Sequence, residues 1–401
     1  MSIAADRTPT RLSVDHEGKW AEVELASGLV VASALSGRAA AHEGEVGRTD
    51  YDLERREQTV TFQWGETVTF DIGPVERPDA PVVYLDQNQW VMLARHQWAP
   101  EKVPAPHREG YARLMALARE RAIVLPLSAA HAFESARKDG RQRRELATTM
   151  LQLSRGWQMR SPLKVRREEL LCNVADFRAG ATEFRQRPVF TLDPDALFST
   201  SDYAEKDSPE ADLHARLTWG PALAETLIED EREDDEVARA KGERWATLYG
   251  GVATRMAAAN PSPEEKWATA RMALLMDLTD ELGAAAATAG LDRDAWEEWL
   301  GESEDNFASM PAIGRVQQIT HRRLSNPQYP WRVNDLSDMH FLASAAGYAD
   351  FLLAEKATSH DLRCAEPQVP PGARICRSPG ELVDLIEDQL GNENRALGSS
   401  S

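Results

Sequence analysis

The stretch Pro81-Val82-Val83-Tyr84-Leu85-Asp86-Gln87-Asn88-Gln89-Trp90 decides how the rest of the chain is read. An apolar run leads directly into an aspartate and then into a helical pattern over Gln89 to His96. A continuous apolar run of this length suits a strand buried on both faces of a parallel sheet. An Asp at its carboxyl end lies at the edge where open α/β sheets take their ligands. The plainer reading of Asp86 is an N-cap, a short carboxylate accepting from the free N–H groups of the next helix.

The same grammar returns twice. Ala122-Ile-Val-Leu-Pro-Leu127 is a second apolar run, with Pro126 marking an edge position or an irregular strand end. Ser128 is a good N-cap, and the helix it opens carries Glu134 before Gly140 breaks it. Arg141 to Leu153 reads as a further helix. Far along the chain, Asn334-Asp-Leu-Ser-Asp338 opens a helix that closes at Gly347. Tyr348-Ala-Asp350-Phe-Leu-Leu-Ala-Glu355-Lys356 then reads as a third buried strand, again with a carboxylate at its carboxyl end. Ala373 to Cys376 reads as a last strand, and Ser378 to Leu390 as a capped terminal helix.

The flanking regions differ. Residues 1–75 show strand and turn signals: Trp20 to Leu25 alternates at period two, and Thr59–Trp64 with Thr67–Ile72 reads as a hairpin turned at Gly65. Ser36 to Arg48 reads as loop or short helix. This small all-β module carries no catalytic constellation and is expected to dock a protein partner or inhibitor. Pro74, Pro78 and Pro81 mark the boundary that follows it. Residues 166–330 are Ala-rich and helical, with examples at Ala222–Ala246, Lys266–Ala286 and Asp292–Leu300; the acidic run from Glu229 to Glu236 reads as a solvated face. The expected organisation is therefore a β module at 1–75, an α/β domain split between 81–165 and 331–392, a helical insertion at 166–330, and a disordered tail at 393–401.

Bulk properties narrow the function. The chain has 401 residues and a formal net charge of −19, which argues against coating nucleic acid by bulk electrostatics. No apolar run has membrane-spanning length, and Met1 to Arg7 lacks the pattern of a secretory leader. Cys172, Cys364 and Cys376 form no metal-binding spacing; scattered thiols of odd number suit a reducing cytoplasm. Walker-A, HExxH and GxSxG motifs are absent.

Asp86, Glu134, Asp338 and Glu355 are thus each tied to a strand end or the first turns of the following helix. In a parallel sheet all such positions lie on one edge. Carboxylates that converge there need a cation to remain ionised together. Mg²⁺ or Mn²⁺ take such oxygen ligands, and ions held this way activate water and stabilise both oxygens of a phosphodiester displacement.

The order of these features resembles the PIN-domain nucleases and the broader PIN-like group. The matching stretches are Val82-Val-Tyr-Leu-Asp86, Leu127-Ser-Ala-Ala-His-Ala-Phe-Glu134, and Asp338 through Glu355-Lys356. The resemblance covers residues 81 to about 160 and about 330 to 380. It implies a PIN-like parallel sheet flanked by helices and a metal-dependent nuclease, acting on RNA as toxin or RNA-processing members do. Two alternatives stand beside it: a DNA-cleaving defence nuclease, and a catalytically inactive PIN-like interaction protein. Glu355 stands where the family usually has Asp, and Asp335 and Asp350 are alternates for the third and fourth acids. Arg137, Lys138, Arg141, Arg144, Arg322 and Arg323 are candidates for a phosphate track, against the plainer reading of solvated faces paired with Glu. Trp157, Tyr329 and Trp331 are candidates for base stacking, although such rings are more often structural. His131 and His340 are read as hydrogen-bonding residues rather than metal ligands.

Overall fold

The computed structural model describes residues 8–35, 44–73, 77–135, 138, 140–179, 184–194, 196–197, 209–228, 236–326 and 328–398. The architecture is α/β, with fifteen α-helices and a small antiparallel N-terminal sheet among the described residues. The chain forms two compact units: 1–80 with 89–159 and 190–232, and 81–88 with 160–189 and 233–401.

In the first unit, β1 (Pro9–Asp15), β2 (Trp20–Leu25), β3 (Val30–Ala34), β4 (Val46–Asp52), β5 (Glu57–Phe62) and β6 (Thr67–Asp71) form one sheet in the order β3-β2-β1-β4-β5-β6. The hairpin expected around Gly65 is present. Gly65 adopts φ +92°, a conformation that costs a Cβ-bearing residue more, and its N–H donates to Phe62 O at 2.9 Å. Partners across the strands share one face: Phe70 opposes Gln58, Gln58 opposes Tyr51, Tyr51 opposes Leu12, Leu12 opposes Val23 and Val23 opposes Val31. Helices α4 (Gly140–Ser154) and α6 (Pro209–Ile228) pack on β4 to β6. There Val60, Phe62, Val68 and Phe70 are buried, and Tyr51 Oη and Gln58 Nε2 both donate to Leu217 O at 2.6 Å. The Glu225 carboxylate on α6 accepts from the N–H groups of Glu45 and Val46. The same unit holds α2 (Ala105–Arg119), α3 (Ala129–Ser135), and the pair β8 (Gln158–Met159) and β9 (Phe190–Thr191).

In the second unit, β7 (Val83–Leu85), β10 (Phe351–Leu353) and β11 (Arg374–Cys376) form a parallel sheet in the order β11-β10-β7. Phe351 pairs with Val83, Leu352 with Tyr84 and Leu353 with Leu85. Helix α13 (Asp335–Tyr348) feeds β10, and α14 (Lys356–Ala365) joins β10 to β11. One buried carboxylate ties three helices together. Glu169, on α5 (Pro162–Ala179), accepts from the N–H groups of Ala312 (2.7 Å) and Ile313 (2.9 Å) at the start of α12 (Pro311–Leu324). It also accepts from Tyr348 Oη, at the end of α13, at 2.5 Å. A negative charge at a helix N-terminus meets free N–H groups and the favourable end of the helix dipole. Gly347 permits the close approach of α13 to α12, since a Cβ there would meet Pro311 atoms at 3.0 to 3.2 Å.

Several expectations are corrected. Ala122 to Leu127 forms no strand of its own; within it Leu127 makes a parallel bridge to Gln158. Val46 to Asp52 is a strand, although its charged residues conceal it in the sequence. Lys266 to Ala286 is two helices, α8 (Pro263–Asp277) and α9 (Thr279–Ala289). Ala222 to Ala246 divides between α6 and α7 (Glu236–Ala259), and residues 36–43 and 229–235 of the expected loop and acidic run lie outside the described residues. Helix α15 (Pro379–Gly398) extends through most of the expected tail. The expected first half of the α/β domain does not stay together: 81–88 belong with β10, to which β7 is hydrogen-bonded, and 89–159 belong with the N-terminal sheet. Among the described residues the parallel strands are three, and no larger central parallel sheet is seen.

Candidate active site at the parallel sheet edge

Asp86 follows β7 directly, and its N–H donates to Leu353 O at 3.1 Å, extending the parallel ladder by one step. Asp86 Oδ2 then accepts from the Glu355 N–H at 2.6 Å. Glu355 is the residue before α14, and Asn88 on the first turn of α1 (Gln87–Trp98) donates its amide to Glu355 Oε1. Asp86, Asn88 and Glu355 are therefore interlocked at the carboxyl edge of adjacent parallel strands, although 269 positions separate the two acids. Asp86 is half-buried, while Asn88 and Glu355 are exposed, so the edge is open to a solute.

The other expected acids have different surroundings. Asp338 lies in the first turn of α13, half-buried, with its N–H on Asn334 O. Asp335 accepts from the Arg332 N–H (2.7 Å) and from Tyr329 Oη (3.1 Å), which fixes the loop before α13. Asp350 accepts from the Val82 N–H at 2.8 Å and fixes the start of β7. Those two alternates are thus engaged with the backbone. Glu134 lies half-buried on α3, in the other unit. Among the described residues no three His, Cys, Asp or Glu side chains are grouped as ligands of one ion.

The expected cationic track is divided. Arg323 is buried; its Nε donates to Asp361 Oδ2 at 3.0 Å, and its guanidinium lies 4.7 Å over the Tyr329 ring. Arg322, half-exposed, donates to Asp361 Oδ1 at 3.0 Å. Burial takes Arg323 off any phosphate-facing surface. In the first unit, Arg141 pairs with Glu145 and Arg144 with Glu45, both with exposed guanidinium groups. Lys138 is exposed, and Arg137 lies outside the described residues. Tyr329 and Trp331 pack with Trp245 and Tyr249, ring centroids 4.5 to 5.4 Å apart. Trp245 and Tyr249 are buried, and Tyr329 and Trp331 are half-buried.

His131 and His340 have different surroundings. His131 Nδ1 accepts from the Ser128 N–H at 3.0 Å, which makes it a cap of α3. Burial, and secondarily the charge of Arg166, push His340 down to about 3. The sequence did not single out the clamp on Asp361 or the role of Glu169; neither has a local motif, because each partner comes from a distant helix. A cleft of about 770 Å³ elsewhere in the second unit is walled by Trp267, His321, Arg322, Asp361, Cys364 and Gln368, and none of the four expected acids lines it.

Comparison with protein-family models, with curated proteins and with solved structures gives no match.

Proposed function

We propose that the chain is a metal-dependent nuclease whose site is the Asp86–Glu355 edge, with Asp338 completing the acid set. The observation that supports this reading is the contact between the two acids: Glu355 N–H on Asp86 Oδ2, at the carboxyl ends of β7 and β10. The same edge position is where parallel α/β sheets take ligands. The donors are hard oxygens, a set that suits Mg²⁺ or Mn²⁺. Asp86, Glu355 and Asp338 would hold such an ion, which would supply charge stabilisation to a phosphodiester. Asn88 orients the Glu355 carboxylate through its amide. RNA is the favoured substrate, on the resemblance to PIN-like members; a DNA substrate is the second arm of the test.

The test is a panel of RNA, single-stranded and duplex DNA, and small phosphoesters, incubated with Mn²⁺ or Mg²⁺ and then with EDTA. Cleavage that depends on the ion and disappears in Asp86→Asn and Asp338→Asn, with both variants folded, supports the reading. Cleavage retained in both variants removes this site. No cleavage of any substrate, together with no ion binding by calorimetry, leaves the interaction-protein reading in its place.

A further inference from the structure

Strand β3 is an end strand of the N-terminal sheet and pairs, among the described residues, with β2 alone. All of Val30-Val31-Ala32-Ser33-Ala34 is exposed, Val30 and Val31 at 53% and 52%. Edge strands are normally protected by Lys, Pro, a bulge or an inward charge. Here β3 pairs with β2 without a register shift, and Ala26 to Gly37 contains no charged residue in a chain where 28% are charged.

The direction of the free backbone groups follows from two hydrogen bonds. Leu35 N–H donates to Lys19 O at 2.8 Å, and Leu29 O accepts from the Leu25 N–H at 2.9 Å. Direction alternates along a strand, so odd-numbered residues of β3 face β2. Val30, Ala32 and Ala34 direct their N–H and C=O groups outward.

We propose that this edge pairs with β3 of a second copy of the chain, antiparallel about a two-fold axis at Ala32, so that the two six-stranded sheets become one. A two-fold contact requires a self-complementary surface, and β3 is one. About Ala32, Val30 faces Ala34 of the other copy, and Val31 faces Ser33, so each larger side chain meets a smaller one. The apolar row Leu12, Val23, Val31 runs up to this edge, where Ser33 of the other copy meets it. The chain carries a net charge of −19, and the uncharged edge lets two copies meet without opposing like charges.

The experiment is the mass of the full chain in solution, by light scattering and sedimentation over a wide concentration range. The expected result is conversion with concentration to twice the monomer mass of 44.6 kDa. Ala32→Pro removes an outward N–H from each copy and leaves the β2 pairing intact, since Pro is tolerated on edge strands. It should stay monomeric with unchanged far-ultraviolet circular dichroism. Val30→Lys, which places charge on the edge without altering the backbone, should do the same. Ala32→Cys, in a Cys364→Ser background that removes the exposed native thiol, should cross-link to itself. Directly opposed hydrogen-bonded residues stand about 5.5 Å apart at Cα, within disulfide reach. A wild-type chain that is monomeric at every concentration overturns the proposal, even if it takes up an added extended peptide. So does a dimer that survives both Ala32→Pro and Val30→Lys without the Ala32→Cys cross-link.

Discussion

The parallel sheet of the second unit and the antiparallel sheet of the first are built from the same backbone hydrogen bonds but meet water differently. Strands β7 and β10 are buried along their whole length. The antiparallel sheet alternates buried and half-buried positions at β5 and is wholly exposed at β3. Sheet stability comes less from the ladder than from what covers its faces. The comparison is tested most severely by truncating one strand in each. Leu352→Ala on β10, where Leu352 is fully buried, should cost about 2–5 kcal/mol as a cavity opens. Val31→Ala on β3 should stay within about 0.5 kcal/mol, as exposed substitutions do. Denaturant midpoints measure both, and equal losses would show that the exposed strand is not the open edge described.

A second test concerns what holds the helices over the parallel sheet. Glu169→Ala leaves two helix N–H groups and a tyrosine hydroxyl without their buried acceptor, at a cost of about 1–3 kcal/mol. The pH dependence has a definite sign. Burial, the largest influence, raises the Glu169 carboxyl above its ordinary value of 4.5, despite the opposing donors. A raised acid means that the folded state binds the extra proton, so its contribution is complete below the ordinary range and is lost as pH rises through the folded value. Melting temperatures over a pH series should therefore show wild type losing ground to Glu169→Gln as pH rises from 4.5. A gain instead would mean that the donors outweigh burial.

The antiparallel sheet itself contains both regimes, and Tyr51 marks the boundary. Its hydroxyl donates to Leu217 O on α6 from the covered half, and burial pushes it up to about 12. Tyr51→Phe should cost about 0.5–1.5 kcal/mol by removing that bond. No comparable loss should follow Ser33→Ala on β3, whose Oγ is exposed, and urea denaturation of the pair measures the contrast.

These differences also explain what the sequence revealed. The strands β7 and β10 were legible because burial on both faces demands an uninterrupted apolar run, and β6 and β5 because a tight turn demands Gly65. β4 was not, because Arg48, Asp50 and Asp52 occupy its solvent face and break the apolar pattern. The run Ala122 to Leu127 misled in the opposite way: it is buried, as its composition requires, but its pairing is limited to isolated bridges. At the site, Asp86 and Glu355 were legible as strand-end acids. That Asp335 and Asp350 each hold a backbone N–H was not, since an N–H partner leaves no trace in composition.

The smallest effect separates structure from chemistry at the sheet edge. Asp86 Oδ2 holds the Glu355 N–H at 2.6 Å, so the acid has a structural part whatever else it does. Asp86→Ala removes the acceptor and should cost about 0.5–1.5 kcal/mol, moderated because Glu355 is exposed and water can take the N–H. Asp86→Asn keeps an acceptor oxygen at the same reach and should change stability by less than about 0.5 kcal/mol. If the acid only staples β7 to β10, the two variants differ in stability and neither touches an ion. If it is a ligand, both lose ion binding by calorimetry while only Asp86→Ala loses stability, and Asp86→Asn becomes the variant in which the two roles come apart.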